Sequence, residues 1–291
     1  QLTKRQREGH TGCSFNLNMK SFPDIEDYKG RFFQGSNIPD GDYLNTHYPR
    51  FKMTWDFAWR KTDKIATLLD IGAHWLHQSV VYAKRGVEVT AAELPTTLSA
   101  PVVQKVAQEH DIKLVSYTDL SKPEVFGQLP ENHYEVVLFT EIIEHITFNP
   151  VDMWKAIYRV LRPGGRIIVT TPNYYHLGGR AWALKRFLSR SGGGISPQEI
   201  LNIPTYGPHW KEFSARELRD YFTMLSPDFE VTEIQHVSIP YFQPTSSRQK
   251  VQSMLESWFP LLRNNLFVEV TLSRKEDGIV SKPSWSHPVR G

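Results

Sequence analysis

The stretch "LLDIGAHWLHQSV", residues 68–80, decides how the chain is read. It opens with an apolar run, an acid and a glycine, the pattern of a buried strand that turns into a ligand-binding loop. Gly72 lets the backbone approach a ligand closely. In an open parallel sheet, ligands sit beyond the carboxyl ends of the strands, near the point where strand order reverses. A nicotinamide-binding loop needs G-x-G-x-x-G, so that a pyrophosphate fits at the helix N-terminus. Here Gly72, His74 and His77 hold those positions, and the pattern fails. Two readings stand on this stretch alone. It is a loop for a cofactor without a pyrophosphate, or a buried strand closed by a glycine turn.

Outward from it, apolar runs and helical patterns alternate. "ATLLDIG" (66–72) predicts a strand and "LHQSVVYAKRG" (76–86) a helix closed by Gly86. Strands follow at 87–94, 112–117, 134–140 and 166–171, with helices at 98–111, started or kinked at Pro101, and at 151–161 between them. Strands separated by helices imply parallel pairing with right-handed crossovers. Further on, "SARELRDYFTML" (214–225) opens with a capping box, Ser214 and Glu217. Strands at 229–237 and 266–275 end the pattern, with a helix near 248–258 between them. The segment 176–211 carries no strand signal and is expected to be an insertion, or lid, after the fifth strand. Residues 1–42 are expected to be an extended lead-in, 43–275 the domain and 276–291 a flexible tail.

Composition narrows the function. The chain has 291 residues, enough for one large domain, and a net charge of only +3, which disfavours a dedicated nucleic-acid coat. The single cysteine, Cys13, forms no internal bridge and fits a reducing compartment. The apolar runs fall far short of a bilayer span, and the first residues lack the apolar core of a signal peptide. A cytoplasmic location is the expectation. No oligomeric state follows from the sequence.

Several acids and a histidine stand where ligands belong. Glu93 closes the second strand, where a carboxylate accepts hydrogen bonds from a ribose diol. Asp119 follows the third strand, where Asp is also common in turns. The densest stretch is "LFTEIIEHITFNPVDMWKAIYRVLRPGGRIIVTTPN" (138–173). If "EIIEH" is helical, spacings of three and four put Glu144 and His145 on the face of Glu141. Such a group is able to bind a divalent metal or hold a general base. A solvated polar turn is the bland alternative.

From "LLDIGA", "VTAAEL", "EIIEHI", "YRVLRPGGRIIVTTPN" and "HWKEFSARELRDYF" together, residues 43–275 resemble class I S-adenosylmethionine-dependent methyltransferases. The likeness is to the group that includes ubiquinone-biosynthesis, sugar and glycan O-methyltransferases. It implies a Rossmann-like α/β fold: a seven-stranded, mostly parallel sheet with helices on both faces and an antiparallel last strand. The family's first loop usually reads D-x-G-x-G-x-G, so Asp70, Gly72 and Ala73 fall in the cofactor loop while His74 and Leu76 replace glycines. The resemblance assigns Glu93 to the ribose, Asp119 to the adenine side and Thr140 to the cofactor floor with Glu141. It implies S-adenosylmethionine as cofactor and a small-molecule or glycan hydroxyl as acceptor, with His145, Glu141 and Glu144 catalytic. Glu141, Glu144, His145 and His209 also resemble the cluster of RNA terminal 2′-O-methyltransferases, which implies a divalent metal and an RNA acceptor as an alternative. A non-catalytic methyltransferase-fold scaffold or regulator is the reading from another class, motivated by the altered loop at His74–Leu76. In the insertion, Trp182, Leu184, Phe187 and Leu188 are expected on the apolar side of a short helix, with Arg180, Lys185, Arg186 and Arg190 making it basic.

Overall fold

The computed structural model describes residues 21–32, 41–182, 188, 195–203, 207–241 and 244–283. Seven strands form one sheet: β1 (Thr67–Ile71), β2 (Glu88–Glu93), β3 (Lys113–Ser116), β4 (Tyr134–Thr140), β5 (Leu161–Pro172), β6 (Phe229–Val237) and β7 (Asn265–Leu272). Their spatial order is β3-β2-β1-β4-β5-β7-β6. The first five strands are mutually parallel, and β7 runs antiparallel to both β5 and β6. From β1 the chain steps outward to β2 and β3, then returns to place β4 on the other side of β1. The order therefore reverses between β1 and β4, and a cleft opens past Ile71 and Thr140.

Side chains alternate across each strand, so every central strand feeds two cores. Leu68, Val136 and Leu138 join Trp55, Val80, Tyr82 and Val103 on one face. Leu69, Val137 and Phe139 join Trp154, Ile157 and Phe222 on the other. The first face is covered by α2 (Gly41–Trp59), α3 (Ser79–Lys84) and α5 (Pro101–Glu109); the second by α6 (Val151–Val160) and α8 (Ala215–Leu225). Ser214 accepts from the Glu217 N–H and Glu217 reaches back to it, so the expected capping box starts α8. No helix among the described residues is long and apolar enough to cross a membrane.

The structure differs from the sequence expectations in five places. The lead-in is not extended throughout: α1 (Ile25–Phe32) lies within it, and α2 begins at Gly41. Phe22 and Tyr28 are buried, and the Tyr28 hydroxyl donates to the His77 carbonyl, so this segment packs onto the 68–80 loop. Its residues 1–20 and 33–40, Cys13 included, lie outside the described residues. The helix expected over 98–111 starts at Pro101, one of the two options the sequence offered, because Pro101 holds Ala100 extended; a separate short helix, α4 (Pro95–Leu98), precedes it and was not expected. "RPGG" does not merely stop a helix. It lies within β5, where Gly164 takes φ 76° and the register against β4 shifts. The insertion contains a short 3-10 turn (Arg180–Trp182) and α7 (Pro197–Asn202); Leu184, Lys185, Arg186, Phe187 and Arg190 lie outside the described residues. Finally, the tail is not flexible from 276 onward. The N–H groups of Glu276, Asp277 and Gly278 donate to Asp228, and Val280 N donates to Leu225 O. Residues 284–291 lie outside the described residues.

Candidate active site

The loop after β1 holds its backbone in a conformation that glycines adopt readily. Gly72, His74 and Leu76 have φ of 73°, 48° and 66°. Left-handed backbone costs a residue with a Cβ roughly 1–2 kcal/mol, so His74 and Leu76 are held by their surroundings. Leu76 is fully buried in the first core. The His74 N–H donates to Glu93 Oε2 at 2.7 Å, and its ring lies against Tyr43 at 4.6 Å and Trp75 at 5.2 Å. At Gly72 a side chain would also require its neighbour to move. A Cβ there would meet Ile142 Cδ1 at 2.3 Å. The loop after β1 is thus pressed against the loop after β4.

Beyond these two loops lies a cavity of about 240 Å³. Gly72, Ala73, Glu93, Thr140, Glu141 and His145 line it, as does Asp70. Asp119 does not. Its carboxylate accepts from the Ser121 N–H at 2.8 Å in a local turn, and Tyr117 and Leu120 form that wall instead. Asp70 is buried and accepts from the Ser79 hydroxyl at 2.6 Å. Burial pushes its carboxyl up to about 7, against the Ser79 bond. Glu93 accepts from the N–H groups of His74 and Leu94, both at 2.7 Å; burial raises its pKa in spite of them.

Arg50 escaped the sequence reading. It sits on α2 and lines the cavity, yet it is only 4 % exposed. Its Nη2 donates to the Tyr43 hydroxyl at 3.3 Å, and its Nε has no hydrogen-bond partner among the described residues. Burial disfavours its charge, but nearby Glu141, Tyr43, Tyr241 and Glu144 raise its pKa overall, and the idle Nε leaves room for a further anionic partner. The signal was present but weak: an Arg beside Pro49, inside a helical pattern, two turns along the same helix from Tyr43.

The acidic cluster is not a helix. Glu141 has φ 56° and is followed by a short 3-10 turn, Ile143–His145. Glu141 Oε1 accepts from Thr170 Oγ1 at 2.8 Å and from Asn265 Nδ2 at 3.4 Å. Glu144 is fully buried. Its Oε2 accepts from Thr171 Oγ1 at 2.9 Å, while Oε1 has no hydrogen-bond partner among the described residues. Burial, reinforced by nearby Glu141, pushes the Glu144 carboxyl well above its usual range.

His145 Nδ1 lies 3.1 Å from the Pro208 carbonyl. A carbonyl only accepts, so Nδ1 carries the proton and Nε2 keeps its lone pair. That Nε2 is 3.9 Å from Glu144 Oε1. Burial lowers the His145 pKa, opposed by the Pro208 bond and by Glu141. The next loop is tied to the same turn: the N–H groups of Trp210 and Lys211 donate to the Glu144 carbonyl at 2.7 and 3.3 Å. This brings His209 to His145, ring centres 4.8 Å apart. Of the four residues expected around a metal, Glu144, His145 and His209 place one ligand atom each within 4.8 Å of one another. Glu141 is not in that group; Thr170 and Asn265 hold its carboxylate elsewhere.

Residues 48–234 match the family model described as "Methyltransferase domain". The chain belongs to that family, with the class I S-adenosylmethionine-dependent fold. Among curated relatives, the ubiquinone biosynthesis O-methyltransferase of Pseudomonas savastanoi pv. phaseolicola is 31 % identical over 109 residues, covering 36 % of this chain and 44 % of the relative. That of Aeromonas salmonicida is 32 % identical over 106 residues, covering 36 % and 43 %. The methyltransferase thus matches less than half the length of these relatives. An S-adenosylmethionine-dependent methyltransferase from Mesorhizobium loti has a similar fold, with a TM-score of 0.52 at 15 % identity over 79 % of this chain and all of that one. A Haemonchus contortus phospholethanolamine N-methyltransferase, solved with S-adenosylhomocysteine, gives a TM-score of 0.50 at 14 % identity over 86 % and 60 %. At such identities the likeness concerns the fold alone.

Proposed function

We propose that this methyltransferase uses S-adenosylmethionine to methylate a hydroxyl on a sugar, a glycan or another small acceptor, with His145 as the general base. The observation that carries the reading is the fixed tautomer of His145 at the cavity wall: Nδ1 bound to Pro208 O and Nε2 left as an acceptor. An alcohol is weakly acidic, so its attack is helped by a base poised in the neutral form. The lowered pKa keeps His145 neutral at physiological pH. The ubiquinone-biosynthesis relatives are named for O-methylation, which agrees with a hydroxyl acceptor.

The cavity's donors fit the cofactor. When bound, S-adenosylmethionine supplies a methyl group on a sulfonium, open to in-line displacement. Arg50 would take its carboxylate, and the cost of burying that guanidinium falls when an anion meets it. Glu93 would face the ribose, with Asp70, Gly72, Ala73 and Thr140 forming the floor and walls. Glu141, held by Thr170, would line the acceptor side with His145. Residues 43–275 form the catalytic unit in this reading, with 176–211 over the acceptor. The single cysteine, Cys13, agrees with a cytoplasmic setting.

Calorimetric titration with S-adenosylmethionine and S-adenosylhomocysteine tests the reading. Both should bind, and Arg50→Met should weaken them by about 10–100-fold, the worth of a charged hydrogen bond. No binding at millimolar cofactor would sink the enzyme reading and favour a scaffold.

A metal-assisted version has its own support. Glu144 Oε1 is buried beside His145 Nε2 and lacks a hydrogen-bond partner, so a proton or a cation must satisfy it. Glu144, His145 and His209 are the residues that would hold a divalent ion there, lowering the pKa of a coordinated hydroxyl. The RNA 2′-hydroxyl alternative belongs to this version. Activity abolished by chelation and restored by a divalent ion selects it; chelator-insensitive turnover selects His145 alone.

A further inference from the structure

α9 (Ser247–Trp258) is amphipathic the wrong way round. Two of its polar residues, Gln252 and Glu256, face the protein. Glu256 is buried and accepts from Ser238 Oγ at 2.8 Å, and Gln252 donates to the Leu177 carbonyl and to Glu256. Its apolar residues face outward at helical spacing: Val251, Met254 and Trp258, the last 66 % exposed. The chain then turns through Pro260–Leu262 and keeps Phe259 and Leu261 about as bare, at 53 % and 51 %. Soluble surfaces scatter single apolar residues; five large exposed ones within eleven positions point to an interaction site.

This ridge lies at the same end of the sheet as the active site. β7 begins at Asn265, opposite the last residue of β5, and Asn265 Nδ2 reaches Glu141. The loop after β5 is fastened to the ridge. Asn173 donates to the Leu261 and Arg263 carbonyls, and Leu177 N donates to Leu262 O. That loop carries Trp182, itself 54 % exposed, with its indole N–H satisfied by the Tyr175 carbonyl.

We propose that this ridge docks the protein on an anionic lipid surface, α9 lying in the interface beside the mouth of the cleft. Charge chooses the occupant. Arg248 and Lys250 are exposed on α9 and flank the apolar stripe, and the helix's only carboxylate, Glu256, is turned inward. An isologous pair of α9 helices would crowd these cations around an apolar seam without an acid to meet them. Anionic headgroups would meet them, while Trp258, Phe259 and Trp182 suit the boundary between headgroup and acyl chain. Such docking is independent of the methyltransferase reading, since it needs neither cofactor nor acceptor.

The test is flotation of the full chain with vesicles of phosphatidylcholine alone and of phosphatidylcholine mixed equally with phosphatidylglycerol. The protein should float with the anionic vesicles and far less with the neutral ones. Arg248→Gln with Lys250→Gln should weaken that binding by about thirty-fold. Trp258→Ser with Phe259→Ser should weaken it at least about tenfold. Far-UV circular dichroism and the unfolding midpoint confirm that each variant is folded, and the two pairs test the idea through different chemistry. It is overturned by no binding to anionic vesicles, by equal binding to both kinds, or by variants that bind like the parent. A dimer in light scattering that Trp258→Ser converts to monomer also overturns it, because a second copy then covers the ridge.

Discussion

Asp228 and Asp70 are both buried aspartates, one where the sheet's parallel strands begin and one where β1 ends, and their surroundings treat them oppositely. Asp228 accepts from Tyr158, from Arg274 Nε and from the N–H groups of Glu276, Asp277 and Gly278. Burial opposes its charge, yet the Tyr158 bond and the three backbone donors hold it down at about 2. Asp70 has the Ser79 hydroxyl and sits near a second acid, Glu93; burial pushes it up to about 7. One carboxylate is saturated with donors. The other keeps capacity in reserve.

The difference extends beyond the pair. Arg50 Nε and Glu144 Oε1 are buried polar atoms without hydrogen-bond partners among the described residues, and both lie at the carboxyl end of the sheet. Buried polar groups are normally paired, so idle charged groups beside a cavity call for an explanation. The Asp228 end is structural, tying residues 276–278 to the base of β6. Trp59 Nε1 and Tyr82 Oη are buried without hydrogen-bond partners among the described residues too, outside the cleft; what sets Arg50 and Glu144 apart is that their charged groups are the idle ones and lie beside the cavity-lining residues Glu141 and His145.

If this contrast is right, changes at the cleft alter function and changes at Asp228 alter stability. The largest effect is expected at His145. His145→Ala should leave S-adenosylmethionine affinity and the unfolding midpoint close to those of the parent, while methyl transfer slows by roughly 10²–10⁴-fold. Single-turnover rates on an accepted hydroxyl substrate would measure it. Full activity in the variant would make the "EIIEH" turn structural and erase the contrast.

Asp228→Asn comes next. The depressed pKa means that its contribution to stability is complete above about pH 4 and disappears as pH falls through about 2. The shift corresponds to about 2 kcal/mol near neutral pH. The variant should lose about that much in denaturant titration at pH 7 and lose less, relative to the parent, below pH 3. Cofactor affinity should not change. A variant as stable as the parent at neutral pH would show that the five donors are poorly aligned.

Asp70→Asn is expected to act in the reverse direction. With a folded pKa near 7 against an ordinary 3.8, the native state holds its proton more tightly than the unfolded chain. Stability from this group therefore falls as pH rises between those values and levels off above the upper one. Asparagine keeps an acceptor for Ser79 and removes the charge. The cofactor-free variant should be more stable than the parent at pH 8, by roughly 1–2 kcal/mol, and nearly equal at pH 4. Urea midpoints at the two pH values decide it; equal gains at both would mean the burial of Asp70 carries no titration.

Most of the sheet was legible in the sequence because its signals are local. Apolar runs such as 134–140 and the Ser214–Glu217 box lie within a few residues of each other. The cleft was only partly legible, because its partners are distant. Nothing in "EIIEH" announces that Pro208, 63 residues on, fixes the His145 tautomer. The spacing of that stretch carries meaning only in a helix, and Glu141 at φ 56° is not in one. Asp119 sat at a sequence position suited to adenine, but Asp caps turns equally well, and the turn took it. Arg50 and Asp228 were missed for the same reason: each matters through burial, which one residue type in one stretch does not reveal.

The smallest effect is expected from His74→Gly, and it probes the loop after β1 directly. His74 stands in the left-handed region at φ 48°, where glycine carries no Cβ penalty. Two terms oppose the relief. The ring contacts with Tyr43 and Trp75 are lost, and glycine adds freedom to the unfolded chain. Stability should therefore stay within about 1 kcal/mol of the parent. Affinity is where the change should show. The His74 side chain lines the cavity, whereas its N–H, which holds Glu93, is backbone and survives the substitution. Removing the ring opens space without releasing the carboxylate, so S-adenosylhomocysteine should bind a few-fold tighter, on the order of 1 kcal/mol or less. Calorimetry at one pH on matched preparations resolves such a difference. Weaker binding would mean that the imidazole touches the cofactor, and that this chain replaced a glycine with a ligand contact rather than with an obstruction.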